Sequence, residues 1–174
     1  MSDTGAADVQ TPGPTPLLTP ELLAMMARGV SVIVSSCGPD LAPSLMRAVG
    51  SQVGPQGEQI TVFLNRGQSA QLLRDVARSG RVAVVFSEPH SHRTVQVKST
   101  RARLREVTPD DAPALQRYLQ AMQGELGRIG FSPDFAAAML AHRFEDLSAI
   151  AFAPEQAFDQ TPGPQAGQPL RVAP

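Results

Sequence analysis

Apolar positions along the chain recur in two different periods, and the switches between them divide it into elements. "TPELLAMMARG" (residues 19–29) has Thr19 placed as an N-cap, Pro20 at the first helical position and Gly29 as a stop, which predicts a short helix. "VSVIVSS" (30–36) is β-branched and apolar and predicts a strand. "CGPD" turns the chain, and "LAPSLMRAV" (41–49) returns as a second strand with Pro43 at an edge or bulge. "GSQVGPQGEQ" (50–59) reads as a loop and "ITVFLN" (60–65) as a third strand, so the first three strands are expected to form an antiparallel meander.

"RGQSAQLLRDVARSG" (66–80) then changes to helical spacing. Ala70, Leu73, Val76 and Ala77 share one face, Leu72 lies beside it, and Gly80 marks the stop. "RVAVVFS" (81–87) is an apolar strand, and "RTVQVKSTRARLREV" (93–107) a long one with a change of phase. Val95 and Val97 fall on odd positions, Ala102 and Leu104 on even ones, and a period of two exchanges faces only through a bulge or bend. "TPDDAPALQRYLQAMQGELGRIG" (108–130) predicts a helix with Thr108 as N-cap and Leu115, Leu119 and Met122 on one stripe. "SPDFAAAMLAHRF" (132–144) predicts another, and "LSAIAFAP" (147–154) a last strand. Regular βα alternation is missing, and bent strands close small barrels. The expected fold is therefore mainly β with helical additions, a small antiparallel barrel of six strands. Residues 1–19 read as a flexible arm, 20–154 as one domain, and 155–174 as a Pro/Gly/Gln-rich tail.

A length of 174 residues and an apolar share of 42% suit that single domain. The formal net charge of −1 offers no electrostatic footprint for nucleic acid or an anionic membrane. No apolar run reaches membrane-spanning length and the first residues are neither basic nor apolar, so neither anchor nor secretory signal is expected. Cys37 is the only cysteine, which excludes an internal disulfide and a multi-cysteine zinc site and makes a reducing cytoplasm the default location.

Candidate chemistry concentrates in four places. In "SEPHSH", His90 and His92 lie two apart, a spacing that can serve a metal, but Glu88 is the only nearby carboxylate. The loop therefore reads as solvent-facing or pocket-lining, and no metal is expected. Cys37, in a strand-end turn, reads as an inert thiol. Arg101, Arg103 and Arg105 alternate on one strand face, either to bind a phosphate-rich polymer or, as preferred here, to form a solvated face that discourages edge pairing. "FLNRGQSAQLL" ends a strand at Asn65 and opens a helix through Gln68 and Ser69. Ser69 alone reads as an ordinary N-cap, but with Arg66, Arg47 and Arg93 near the same strands the helix start can hold a phosphate. No hydrolase, nucleoside-triphosphatase or dinucleotide-binding motif is present.

The order of these parts resembles the pyridoxamine 5′-phosphate oxidase-like family, the FMN-binding split barrels. The resemblance covers roughly residues 20–107: a strand–"GPD"–strand hairpin, "ITVFLN", a helix preceded by "GQS", then "RVAVVF" and "RTVQVKS" across a short loop, with "DQTPGPQAG" a weaker likeness near the end. It implies a six-stranded antiparallel split β-barrel and a homodimer with FMN in clefts at the subunit interface. Carried onto this chain, Ser44, Met46 and Arg47 would meet the flavin edge or its phosphate, and Leu64 and Asn65 would lie beneath the ring. Gln68 and Ser69 would bind phosphate, Arg93, Thr94 and Gln96 would approach the flavin, and His90 and His92 would face the substrate. The implied function is flavin-dependent oxidation or reduction of an unidentified small molecule. The alternatives are a non-catalytic binder of flavin, haem or deazaflavin, and a cofactor-free structural dimer. The lysine that oxidases of the family place near the helix start is replaced by Gln68 and Ser69, and the chain has no tryptophan for a pyridoxal phosphate site. Pyridoxamine phosphate is thus not the expected substrate.

Overall fold

A computed structural model describes residues 17–170; of the arm expected over residues 1–19, residues 1–16 lie outside them, and Leu18 is buried in the core. Helix α1 (Pro20–Ala27) is capped by Thr19, whose hydroxyl accepts from Leu22 N. Strands β1 (Ser31–Cys37), β2 (Pro43–Arg47), β3 (Gly50–Val53) and β4 (Ile60–Asn65) follow. Helix α2 (Ala70–Ser79), β5 (Val82–Ser87), β6 (Thr94–Ser99) and β7 (Arg103–Arg105) come next. After a 3-10 turn (Pro109–Asp111), α3 (Ala112–Gly127) and α4 (Pro133–Met139) precede β8 (Leu147–Phe152) and β9 (Gln156–Asp159). Among the described residues, no helix is long and apolar enough to cross a membrane.

The strands form two antiparallel sheets, ordered β2-β1-β5-β6-β9 and β3-β4-β8-β7. The fold is mainly β with helical additions, as expected, but the six-stranded barrel is corrected: the described residues form nine strands in two sheets, neither closed on itself. The expected meander is also corrected. β2 pairs with β1, whereas β4 pairs with β3 and β8 in the other sheet. The segment read as a loop contributes β3, where a Cβ on Gly50 would come within 2.6 Å of Leu115 Cδ2. Helix α3 packs so closely over this strand that a larger residue at that point requires the Leu115 side chain to shift.

The change of phase in residues 93–107 marks the place where the chain leaves one sheet for the other: β6 ends at Ser99 and β7 begins at Arg103. Past residue 154, where the domain was expected to end, Gln156–Asp159 covers the remaining edge of β6 with Val95 opposite Asp159. An open strand edge leaves main-chain donors and acceptors to pair, and β9 satisfies them.

Between the sheets lies a core of Val32, Val34, Val62, Val84, Phe86, Val97 and Ile150, closed by Met25 and Met26 of α1 and Leu72 and Val76 of α2. Alternation along β1 sends Val32 and Val34 inward and leaves Ser31, Ile33 and Ser35 half-exposed on the outer face. Tyr118 of α3 is buried and its hydroxyl donates to Val30 O at 2.8 Å, while burial pushes the phenol's pKa up.

Candidate functional site

One corner gathers the ends of β2 and β4 and the start of α2. Val49 N donates to Phe63 O, so Arg47 stands two residues before this crossing and Asn65 two residues after Phe63. Ser69 is buried at the head of α2, but its hydroxyl does not cap the helix and has no hydrogen-bond partner. The ordinary N-cap expected for Ser69 is thereby corrected: its ψ of 13° departs from the extended backbone of a capping residue. The first N–H groups of a helix lack intrahelical acceptors, so α2 opens on free donors beside an orphaned hydroxyl. Asn65 Oδ1 accepts weakly from Gln68 N at 3.5 Å, Gln68 is exposed, and Arg66 turns aside to donate to Leu147 O.

Alternation along β2 splits the expected residues between two faces. Ser44 turns toward α2 and donates to the buried Asp75 carboxylate at 2.7 Å, and Met46 packs on the core. Arg47 faces the other way, with Nη1 donating to Ser31 Oγ at 2.7 Å. Among the described residues, neither Arg47 nor Arg93 has a carboxylate partner. Leu64 is fully buried.

On the outer face of the five-stranded sheet, Ser31, Ser87 and Thr94 are register partners across β1, β5 and β6. The Ser87 and Thr94 hydroxyls lie 2.8 Å apart, and Arg47 terminates the row through Ser31. One step along, Arg47, Ile33, Val85, Gln96 and Phe158 form the neighbouring row on the same face. The C-terminal segment reaches back to this edge, where Thr94 N donates to Thr161 Oγ1 and Gln160 N to Thr94 O. Ser31, Ser87 and Thr161 are members the sequence reading missed. Serines on strands carry no signal of their own until register sets them side by side.

The loop between β5 and β6 holds His90, His92 and Arg93. Glu88 N donates to Arg93 O and His92 N to Glu88 O, which closes the loop on itself. His92 takes a left-handed φ of 60°, a conformation uncommon outside glycine, and Arg93 is exposed. Glu88 is buried. The Ser91 hydroxyl, then Arg28 and His90, hold its carboxyl below the usual range against the opposing effect of burial. His90 Nδ1 lies 2.9 Å from Oε2 of Glu125 on α3, and its Nε2 lies 3.9 Å from Glu88 Oε2. Arg28 pairs with Glu88 and Arg128 with Glu125, so each carboxylate already has a guanidinium. Ligating atoms of Glu88, His90 and Glu125 all lie within 4.8 Å of one another. Of the two ring nitrogens only Nδ1 lies within hydrogen-bond distance of a carboxylate, that of Glu125.

The arginine stripe is corrected. Residues 100–102 are not in a strand; Arg101 pairs with Glu155 and Arg105 with Asp111, which leaves Arg103 exposed. Lys98, the sole lysine, sits 4.4 Å over the Phe158 ring. Cys37 is half-buried at the end of β1, on the rim of a shallow cleft of about 330 Å³ shared with Ala83, Lys98 and Gln156.

No family profile matches the sequence, and no curated protein matches it in sequence. Solved structures do share the fold. A Lactobacillus delbrueckii protein assigned as a pyridoxamine 5′-phosphate oxidase aligns over 83% of this chain and 95% of its own, with 18% identity and a TM-score of 0.51. HupZ of Group A Streptococcus aligns over 86% of this chain and 99% of its own, with 12% identity and a TM-score of 0.50. Identities this low establish common architecture and nothing about individual side chains.

Proposed function

We propose that this chain, whose fold is that of the pyridoxamine 5′-phosphate oxidase-like proteins, binds FMN and uses it to oxidise or reduce a small molecule. The observation that carries this reading is the buried Ser69 hydroxyl, which has no partner at the head of α2. A buried polar group without a hydrogen bond is destabilising, and a phosphate oxygen at a helix N-terminus supplies the missing partner while meeting the positive end of the helix dipole. Gln68 and Asn65 add neutral polar groups there, and Arg47, on the outer sheet face, adds a cation with no carboxylate partner among the described residues. Ser44 and Met46 support this corner from the α2 side and Leu64 closes it from beneath. Thr94 and Gln96, on the outer face with Arg93 at the rim, are assigned to the ring edge, and His90 and His92 to the substrate side.

FMN, when bound, supplies hydride and electron transfer. The protein's part is to fix the phosphate, orient the ring edge through the Ser31–Ser87–Thr94 row and keep the rim in place. The chain pairs with a second copy across the outer face of the five-stranded sheet. Supporting this, Leu45 is 63% exposed on the same face as half-exposed Ile33 and Val85. Large apolar groups grouped at a surface mark association sites.

The test is reconstitution of the purified protein with excess FMN, followed by gel filtration. Retained flavin absorbing near about 450 nm, and turnover with a reduced nicotinamide, are expected. Ser69→Ala and Arg47→Ala should each weaken FMN binding by about ten- to a hundredfold, the range for hydrogen bonds to a charged group. A protein that retains no flavin and is indifferent to Arg47→Ala is a cofactor-free dimer. A haem or deazaflavin spectrum reassigns the ligand.

A further inference from the structure

We infer that His90 is a positioning residue for the proposed cofactor edge: its ring clasps the β5–β6 loop to α3 and thereby sets where Arg93 and Thr94 stand. This rests on the FMN reading only for its consequence in binding; the clasp itself is a matter of geometry.

The loop is stitched internally by Glu88 N to Arg93 O, Arg93 N to Ser91 Oγ and Thr94 Oγ1 to His92 O. Those bonds shape the loop but do not locate it. Its placement against the helices depends on two side-chain ties, Glu88 to Arg28 at the C-terminus of α1 and His90 to Glu125 of α3. Among the described residues, Glu88 just after β5, Arg28 just after α1 and Glu125 on α3 surround the ring, and Arg128, beyond the end of α3, has Nη1 3.4 Å from His90 Nδ1. The Ser91 hydroxyl holds the Glu88 oxygen that faces the ring.

His90 Nδ1 lies within hydrogen-bond distance of Glu125 Oε2, whereas Nε2, 3.9 Å from Glu88 Oε2, lies beyond it. The tie to Glu125 is therefore the one that clasps the loop to α3. Flavin that needs Arg93 and Thr94 in place binds less well once that tie is removed.

Amide hydrogen exchange on the ligand-free full-length protein, and FMN titration, are run at one fixed pH on wild type, His90→Gln, His90→Ala and Glu125→Ala. His90→Ala and Glu125→Ala should each quicken exchange at Arg93 and Thr94 and weaken FMN binding about two- to tenfold, the worth of one hydrogen bond. His90→Gln keeps a side-chain donor and should restore part of both effects. Exchange at Arg93 and Thr94 that is the same in wild type and His90→Ala overturns the clasp. Failure of FMN to bind with the exchange pattern intact overturns the flavin reading alone.

Discussion

At the scale of single residues, the sharpest consequences come from charges whose partners are now known. Arg105 donates to both carboxylate oxygens of Asp111, at 2.8 and 2.6 Å, and Thr108 N donates to the same group. The Arg105 bonds, ahead of the Thr108 bond, hold Asp111 below the usual carboxylate range against burial. A lowered folded pKa stabilises the fold above the ordinary aspartate range of about 4 and loses that contribution as pH falls through the lowered value. Asp111→Asn should therefore lower the urea midpoint at neutral pH, by about 1–3 kcal/mol of stability. The gap from wild type should narrow as pH falls below the ordinary aspartate range of about 4, which urea titrations at neutral and at acidic pH check. Thr108 and the acidic first turn were legible as a helix start; that Arg105 serves this turn rather than a charged stripe was not. Alternation placed the three arginines together only on the assumption of an unbroken strand.

At the scale of elements, end signals did most of the work and were reliable where they were local. Thr19, Pro20, Gly80 and Thr108 sit at or within a few residues of the observed boundaries because capping involves neighbours in sequence. Gly80 shows why its identity matters. It adopts a φ of +66° after the last turn of α2, and a Cβ there would come within 2.5 Å of Thr100 O. Gly80→Ala should cost about 1–2 kcal/mol from the left-handed conformation alone, with the backbone contact adding to it. The urea midpoint should drop without a change in helix content of the folded state. β3 and β9 were invisible for the opposite reason. "GSQV" and "QAFD" have weak strand character and become strands only because β4 and β6 offer edges to them.

For the whole molecule, the outer face of the five-stranded sheet joins the polar row of Ser31, Ser87 and Thr94 to an apolar patch around Leu45. If two copies meet there, Leu45→Glu puts a charge into the contact and should yield monomers in sedimentation or light scattering, with the fold unchanged by circular dichroism. An unchanged mass would place the dimer contact elsewhere.

By itself the sequence determined the number and kind of its strongest elements, the helix ends, and the point near residue 100 where the chain changes face. These properties depend on side-chain period and on neighbours within a few residues, which a linear string contains. Only the tertiary structure decided the split into two sheets, the register that aligns Ser31, Ser87 and Thr94, and the meeting of His90 with Glu125, 35 residues away. Each of these depends on which strand edge or helix face arrives opposite another. That choice is settled by packing over the whole chain and leaves no mark on any short segment.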